Sequence, residues 1–170
     1  MKTQRNWPPL SALLLIGVMA SVVVAQEPAV VLSGTELTRV VPTSFYFEGQ
    51  SAPTQMRNSA AARFGQKRYV IAGLVDTSGY SSGVREKYQG FLITDSTITI
   101  GDKKLVAGAY GFGFSDDAKF NVFDVGGELV ISASATKDAA MRRPRPLMMA
   151  IEEGALRLYA GRTYVVIAAK

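Results

Sequence analysis

Turn signals recur along this chain at short, fairly regular intervals, and no other feature restricts its fold as strongly. They are Gly65-Gln66-Lys67, Thr77-Ser78-Gly79, Gly101-Asp102, Ser115-Asp116-Asp117, Gly126-Gly127, Glu153-Gly154 and Ala160-Gly161-Arg162. The runs between them are rich in Val, Ile, Phe, Tyr and Thr, residues that suit a pleated, half-buried surface. Short strands at this spacing predict an all-β domain, a single antiparallel β-sandwich, with a small β-barrel as the alternative.

Local periodicity supports the strands. Leu129, Ile131, Ala133 and Ala135 alternate with Val130, Ser132, Ser134 and Thr136, the pattern of a strand with one buried face. Phe120, Val122 and Asp124 alternate with Asn121, Phe123 and Val125 just before Gly126-Gly127, a strong hairpin signal because both glycines tolerate positive φ. Val106, Gly108, Tyr110, Phe112 and Phe114 line one face of a further run. Its other face, Leu105, Ala107, Ala109, Gly111 and Gly113, carries mostly small groups that admit close approach of a sheet or a ligand. The chain closes with a hairpin, Ala155–Tyr159 and Thr163–Ala169 about a Gly161 turn.

One segment reads two ways. Met56, Ala60 and Phe64 recur every four positions, and Ser51, Pro53 and Gly65 suit helix ends, so one short helix near 53–64 is expected on that pattern. The competing reading makes Ala60–Phe64 a strand, hairpinned through Gly65-Gln66-Lys67 into Tyr69–Val75. Pro42, within the first candidate strand, marks that strand as an edge.

The stretch Gly101-Asp102-Lys103-Lys104-Leu105-Val106-Ala107-Gly108-Ala109-Tyr110 resembles a G-x-K-x-L-x-A-G-x-Y pattern of uncharacterised secreted bacterial β-sandwich families. The resemblance covers residues 101–110 and implies a turn followed by a strand; it brings no catalytic residue with it.

The amino terminus carries an address. Lys2 and Arg5 precede an uncharged run from Leu10 to Ala25 dominated by Leu, Val and Ile, which exits through Val23-Val24-Ala25 into Gln26-Glu27. Basic, apolar and small-residue regions in that order make a secretory signal. The apolar run is shorter than the roughly 20 residues of a spanning helix. Residues 1–25 are therefore expected to be a signal peptide cleaved after Ala25, residues 26–35 a leader segment, and 36–170 one all-β domain, secreted or periplasmic, with no stable membrane span after cleavage.

Composition narrows the chemistry. The sequence contains no cysteine, so a lipid-bearing cysteine and disulfides are both excluded and the domain must rest on its core. At about 145 residues after cleavage it is large enough to do so. Of 19 Lys and Arg, Lys2 and Arg5 leave with the signal, so 17 face 14 acidic residues, a net of +3. That charge is ordinary, and no basic stripe with interleaved aromatics suggests nucleic acid. A 48% hydrophobic content is globular rather than disordered.

With neither histidine nor cysteine present, Ser-His-Asp and Cys-His catalysis and His- or Cys-ligated metals fall away. Glu152 and Glu153 are adjacent, and in a strand would face opposite sides. Asp116-Asp117 lies in a turn. No alternating oxygen ligands around a glycine suggest calcium. The glycines of 108–113 sit inside a strand pattern, where no phosphate loop would lie. No cofactor is expected, and no enzyme beyond a minor reading as a histidine-free hydrolase using carboxylates.

The candidate binding stretch is Asp76-Thr77-Ser78-Gly79-Tyr80-Ser81-Ser82-Gly83-Val84-Arg85, a polar loop between two strong strands. Loops held by rigid scaffolds often carry binding residues. Tyr80 would offer a stacking face, Arg85 an anion clamp and Asp76 an orienting partner. Arg57 and Asn58, with Gln55, are placed alongside. Arg142-Arg143-Pro144-Arg145-Pro146 with Leu147, Met148 and Met149 reads first as an exposed loop feeding a buried strand, second as an anion-binding patch beside an adaptable apolar face. The functional expectation is an exported, non-enzymatic binding or envelope-associated domain. It would take a small molecule or a cell-envelope partner; the alternative is an assembly protein pairing through an edge strand. The oligomeric state is open.

Overall fold

Antiparallel pairing joins every strand in a computed structural model that describes residues 28–169. The signal peptide expected at 1–25 and the first residues of the leader lie outside the described residues. The chain runs β1 (Ala29–Val31), α1 (Gly34–Val40), β2 (Ser44–Phe47), β3 (Gln50–Phe64), β4 (Arg68–Val75), α2 (Ser82–Lys87) and β5 (Gly90–Thr94). It continues through β6 (Ile98–Ile100), β7 (Lys103–Leu105), β8 (Gly108–Ser115), β9 (Lys119–Phe123) and β10 (Leu129–Ser134). Last come β11 (Thr136–Lys137), β12 (Arg145–Glu152), β13 (Ala155–Gly161) and β14 (Thr163–Ala169).

Two sheets result. The larger has the order β1-β3-β4-β5-β8-β9-β10, with β2 added to β3; the smaller is β12-β13-β14-β6-β7, with β11 on β14. Neither closes on itself, so the fold is the expected sandwich and not a barrel. The Gly126-Gly127 and C-terminal hairpins form as their patterns predict. Part of the segment read as a leader belongs to the sheet, since Ala29–Val31 pair with Phe64–Ala62.

Between the sheets lies the main core. Ala62, Val70, Leu92, Phe112, Phe120 and Val122 of the large sheet meet Ile98, Ile100, Leu156, Leu158 and Ile167 of the small one. A second core covers the opposite face of the large sheet and contains Phe45, Phe47, Ala61, Ile71, Tyr88, Phe91 and Phe123. The sequence carries its trace: Val70-Ile71-Ala72 and Phe91-Leu92 do not alternate, because central strands packed on both faces have no polar side to show.

The cover is built by β3. Its C-terminal half pairs with β4, but between Thr54↔Val75 and Ser59↔Gly73 the register slips by a wide bulge. Bulges bend and twist the strand that carries them. Beyond this pivot, β3 and β2 form a hairpin about Glu48-Gly49, with positive φ at both (44° and 82°). The hairpin crosses the outer face of the large sheet. Phe45 stacks on Phe91 at 5.1 Å and Phe47 on Tyr88 at 4.1 Å between ring centroids.

Three expectations are corrected. The short helix near 53–64 does not form; the segment is strand, as in the competing reading, because its small residues Ala60 and Ala62 pack between the sheets while Ala61 faces the second core. Pro42 stands in no strand but in the link between α1 and β2, so it marks no edge. The run 105–114 is not one strand: Leu105 ends β7 in the small sheet, and β8 begins at Gly108 in the large one, with Val106-Ala107 crossing over. The small-residue face does admit a close neighbour, namely the Phe47 ring over Gly111 and the Lys87 carbonyl over Gly113.

Candidate functional site

The loop that carries Asp76, Tyr80 and Arg85 is a folded cap rather than an open clasp. Ser81 Oγ accepts from the Val84 amide and starts α2 as an N-cap. Asp76 Oδ1 accepts from the Ser78 amide, a local turn that holds its carboxyl below the usual range. Tyr80 is buried; its ring packs edge-on to Tyr88 and its hydroxyl donates to the Gln50 carbonyl at 2.9 Å. The expected stacking face is therefore consumed by the second core. Arg85 is exposed on α2, and its side chain makes no ion pair with Asp76.

Tyr80 and Tyr88 make a testable contrast. The Tyr88 hydroxyl is fully buried and has no hydrogen-bond partner among the described residues. Deleting an unpaired buried hydroxyl removes a desolvation cost, so Tyr88→Phe should stabilise by about 1 kcal/mol, whereas Tyr80→Phe should cost about as much. Burial pushes the Tyr88 hydroxyl well above its ordinary 10.0, so the fold favours the neutral form. Stability from this group is whole below pH about 10 and is lost as pH rises beyond it. Tyr88→Phe should thus also move alkaline unfolding to higher pH, read by circular dichroism against pH. Equal urea midpoints for the two variants would show that the two hydroxyls are equivalent.

The pivot of β3 gathers the other residues singled out in sequence. Gln55 Nε2 donates to the Val75 carbonyl, Asn58 Nδ2 donates to Gln55 Oε1, and the Asp76 amide donates to the Pro53 carbonyl. The Asp76 backbone and the Asn58 side chain are thus both tied into the bulge. These bonds satisfy groups that the sheet ladder leaves open there. Asn58 is committed to holding the bulge.

Arg57 faces elsewhere. It lines a cleft of about 520 Å³ at the edge of the sandwich, where β1 and β12 approach each other. One wall comes from Val31, Leu32 and Leu37 of the β1–α1 segment, another from Met56, Arg57 and Ser59 of the pivot. The third is Arg145, Leu147, Met148 and Met149 at the start of β12. In the Arg142–Pro146 run and the strand it feeds, Arg145 and Pro146 are exposed and Leu147 and Met149 enter the core, while Arg145, Leu147, Met148 and Met149 flank the concave surface. Arg57 and Arg145 make no ion pair among the described residues, and no acidic side chain lines the cleft. Ser59 Oγ donates to the Met56 carbonyl at 2.7 Å. The chemistry offered is anion recognition beside flexible apolar walls.

In two other polar clusters a cation is paired with carboxylates of this chain. A shallow depression by Gly126-Gly127 holds Glu48 and Lys87, paired with one another, and Lys87 also lies 5.7 Å from the centre of the Phe123 ring. On the outer face of the small sheet, Arg157 donates to Glu152 at 2.7 Å and to Glu153 at 2.6 Å, and lies 4.6 Å from the centre of the Tyr164 ring. Here the expectation that the adjacent glutamates could not share a site is corrected. Glu153 has left the strand for a turn with φ of 53°, which swings its carboxylate round to the same guanidinium. Sequence reasoning missed this network because strand alternation was carried one residue too far.

No family model, no curated protein and no solved structure matches this chain.

Proposed function

We propose that this chain is an exported binding domain that holds a small, partly apolar molecule in the cleft between α1, the β3 pivot and β12. The observation that carries the reading is the pair of guanidiniums, Arg57 and Arg145, without ion pairs among the described residues and beside methionine and leucine walls. The volume falls within the range of ligand sites, roughly 300–1,000 Å³. Export follows from the expected signal peptide, so N-terminal sequencing of the released chain should begin at Gln26.

The test is native mass spectrometry of the protein purified gently from the exporting host. A retained mass that disappears on denaturation supports the reading. Met56 is partly exposed in the cleft wall, so Met56→Trp should narrow the cleft without opening the core. That variant should lose the retained mass at an unchanged melting temperature; a mass still present would place the ligand elsewhere. Discrete multimers without any small ligand would instead support assembly through the edge of β10, where Leu129 and Val130 are 57% and 44% exposed.

A further inference from the structure

We infer that the molecule held in the cleft is an anionic amphiphile, an aliphatic chain ending in one acidic head group, taken up as a monomer. The inference rests on the cleft reading above and adds to it the chemical class of the ligand.

Charge argues for the head group. Among the described residues, both ionic residues lining the cleft are arginines, and the preceding Arg142 and Arg143 are also exposed. A cationic ligand would meet only repulsion. An acid would meet planar donors suited to carboxylate, sulfate or phosphate oxygens. The walls argue for the tail. Leu37, Met56, Leu147 and Met148 flank the same space, and a small fully polar anion would gain nothing from them. Methionine side chains adapt to irregular apolar shapes, as a flexible chain requires. The depression by Gly126-Gly127 differs in charge, since its Lys87 is paired with Glu48 of this chain.

Position adds a further argument. The cleft opens where two sheet edges meet, so a chain can lie against apolar side chains near the main core while its head stays at the exposed rim with Arg57 and Arg145. That arrangement leaves no charge buried, which would be costly.

The test is calorimetric titration of the exported protein, after denaturation and refolding to strip any retained ligand, with probes sharing one tail. Decanoate below its micelle concentration should bind. Decyltrimethylammonium and acetate should not, since one has the wrong charge and the other no tail. Arg57→Gln with Arg145→Gln should weaken decanoate binding by at least about tenfold. Melting temperature should stay unchanged, because both side chains are exposed. Decyl sulfate and decyl phosphate arms then rank the head groups within the class. Equal binding of decanoate and decyltrimethylammonium, or decanoate binding untouched by the double variant, would overturn the anionic assignment. Absence of decanoate, decyl sulfate and decyl phosphate binding would overturn it as well. So would sedimentation with phosphatidylglycerol vesicles without binding of any monomer, which would mark a membrane surface as the target. In each of these cases the cleft reading is judged separately, by whether Met56→Trp abolishes the mass retained from the host.

Discussion

Phe47→Ala is expected to lower the unfolding free energy by about 3–5 kcal/mol. The ring is fully buried, stacks on Tyr88 at 4.1 Å and meets Phe123 edge-on at 6.5 Å. It also lies over Gly111, where an added Cβ would come within 2.5 Å of the ring. No neighbour can fill the space from the sheet side, because β8 offers only a glycine there. The cavity should therefore persist, and persistent cavities give the larger losses. Urea unfolding should show a lower midpoint with an unchanged slope. A loss below about 1 kcal/mol would mean that the β2–β3 hairpin rests on the large sheet without packing into it. The cleft proposed to bind a ligand is lined by the pivot and not by Phe47, so the variant should keep any ligand held there under conditions where it stays folded.

Gly113→Ala should also be severe, at about 2–3 kcal/mol, for a different reason. An added Cβ would stand 2.1 Å from the Lys87 carbonyl oxygen, a backbone atom that no rotamer change can move. The neighbouring backbone is tied down as well. Gln89 Nε2 donates to the Phe114 carbonyl, the Phe114 amide donates to Gln89 Oε1, and the Gln89 amide donates to the Phe112 carbonyl. Relief would require lifting the end of α2 from β8 and breaking these bonds. Gly83→Ala is the control, since an added Cβ there meets nothing within 4 Å. Thermal melts that rank the two variants alike would show that the approach of α2 to β8 is looser than its geometry.

Much of the site was half legible. Arg57 was singled out for its residue type, and the Arg142–Pro146 run for its charge, but nothing in one dimension joins them. Their meeting depends on β1 and β12 being the facing edges of two different sheets. Tyr80 shows the reverse error. An aromatic in a polar loop reads as a binding face, yet this one is covered by Tyr88 and bonded to Gln50. The burial signal was present, but in the partner's run rather than in the loop itself.

By itself the sequence determined several of the strands, the hairpin at Gly126-Gly127 and the closing hairpin, and hence an antiparallel all-β domain. These follow from alternation and turn chemistry, which act between residues close in the chain. Tertiary structure alone decided that the large sheet is buried on both faces, that β3 pivots at residues 55–58, and that 105–114 is shared between sheets. A period of two states which residues of a strand share a face. Which distant segment covers that face is set by long-range packing, to which a local pattern is blind.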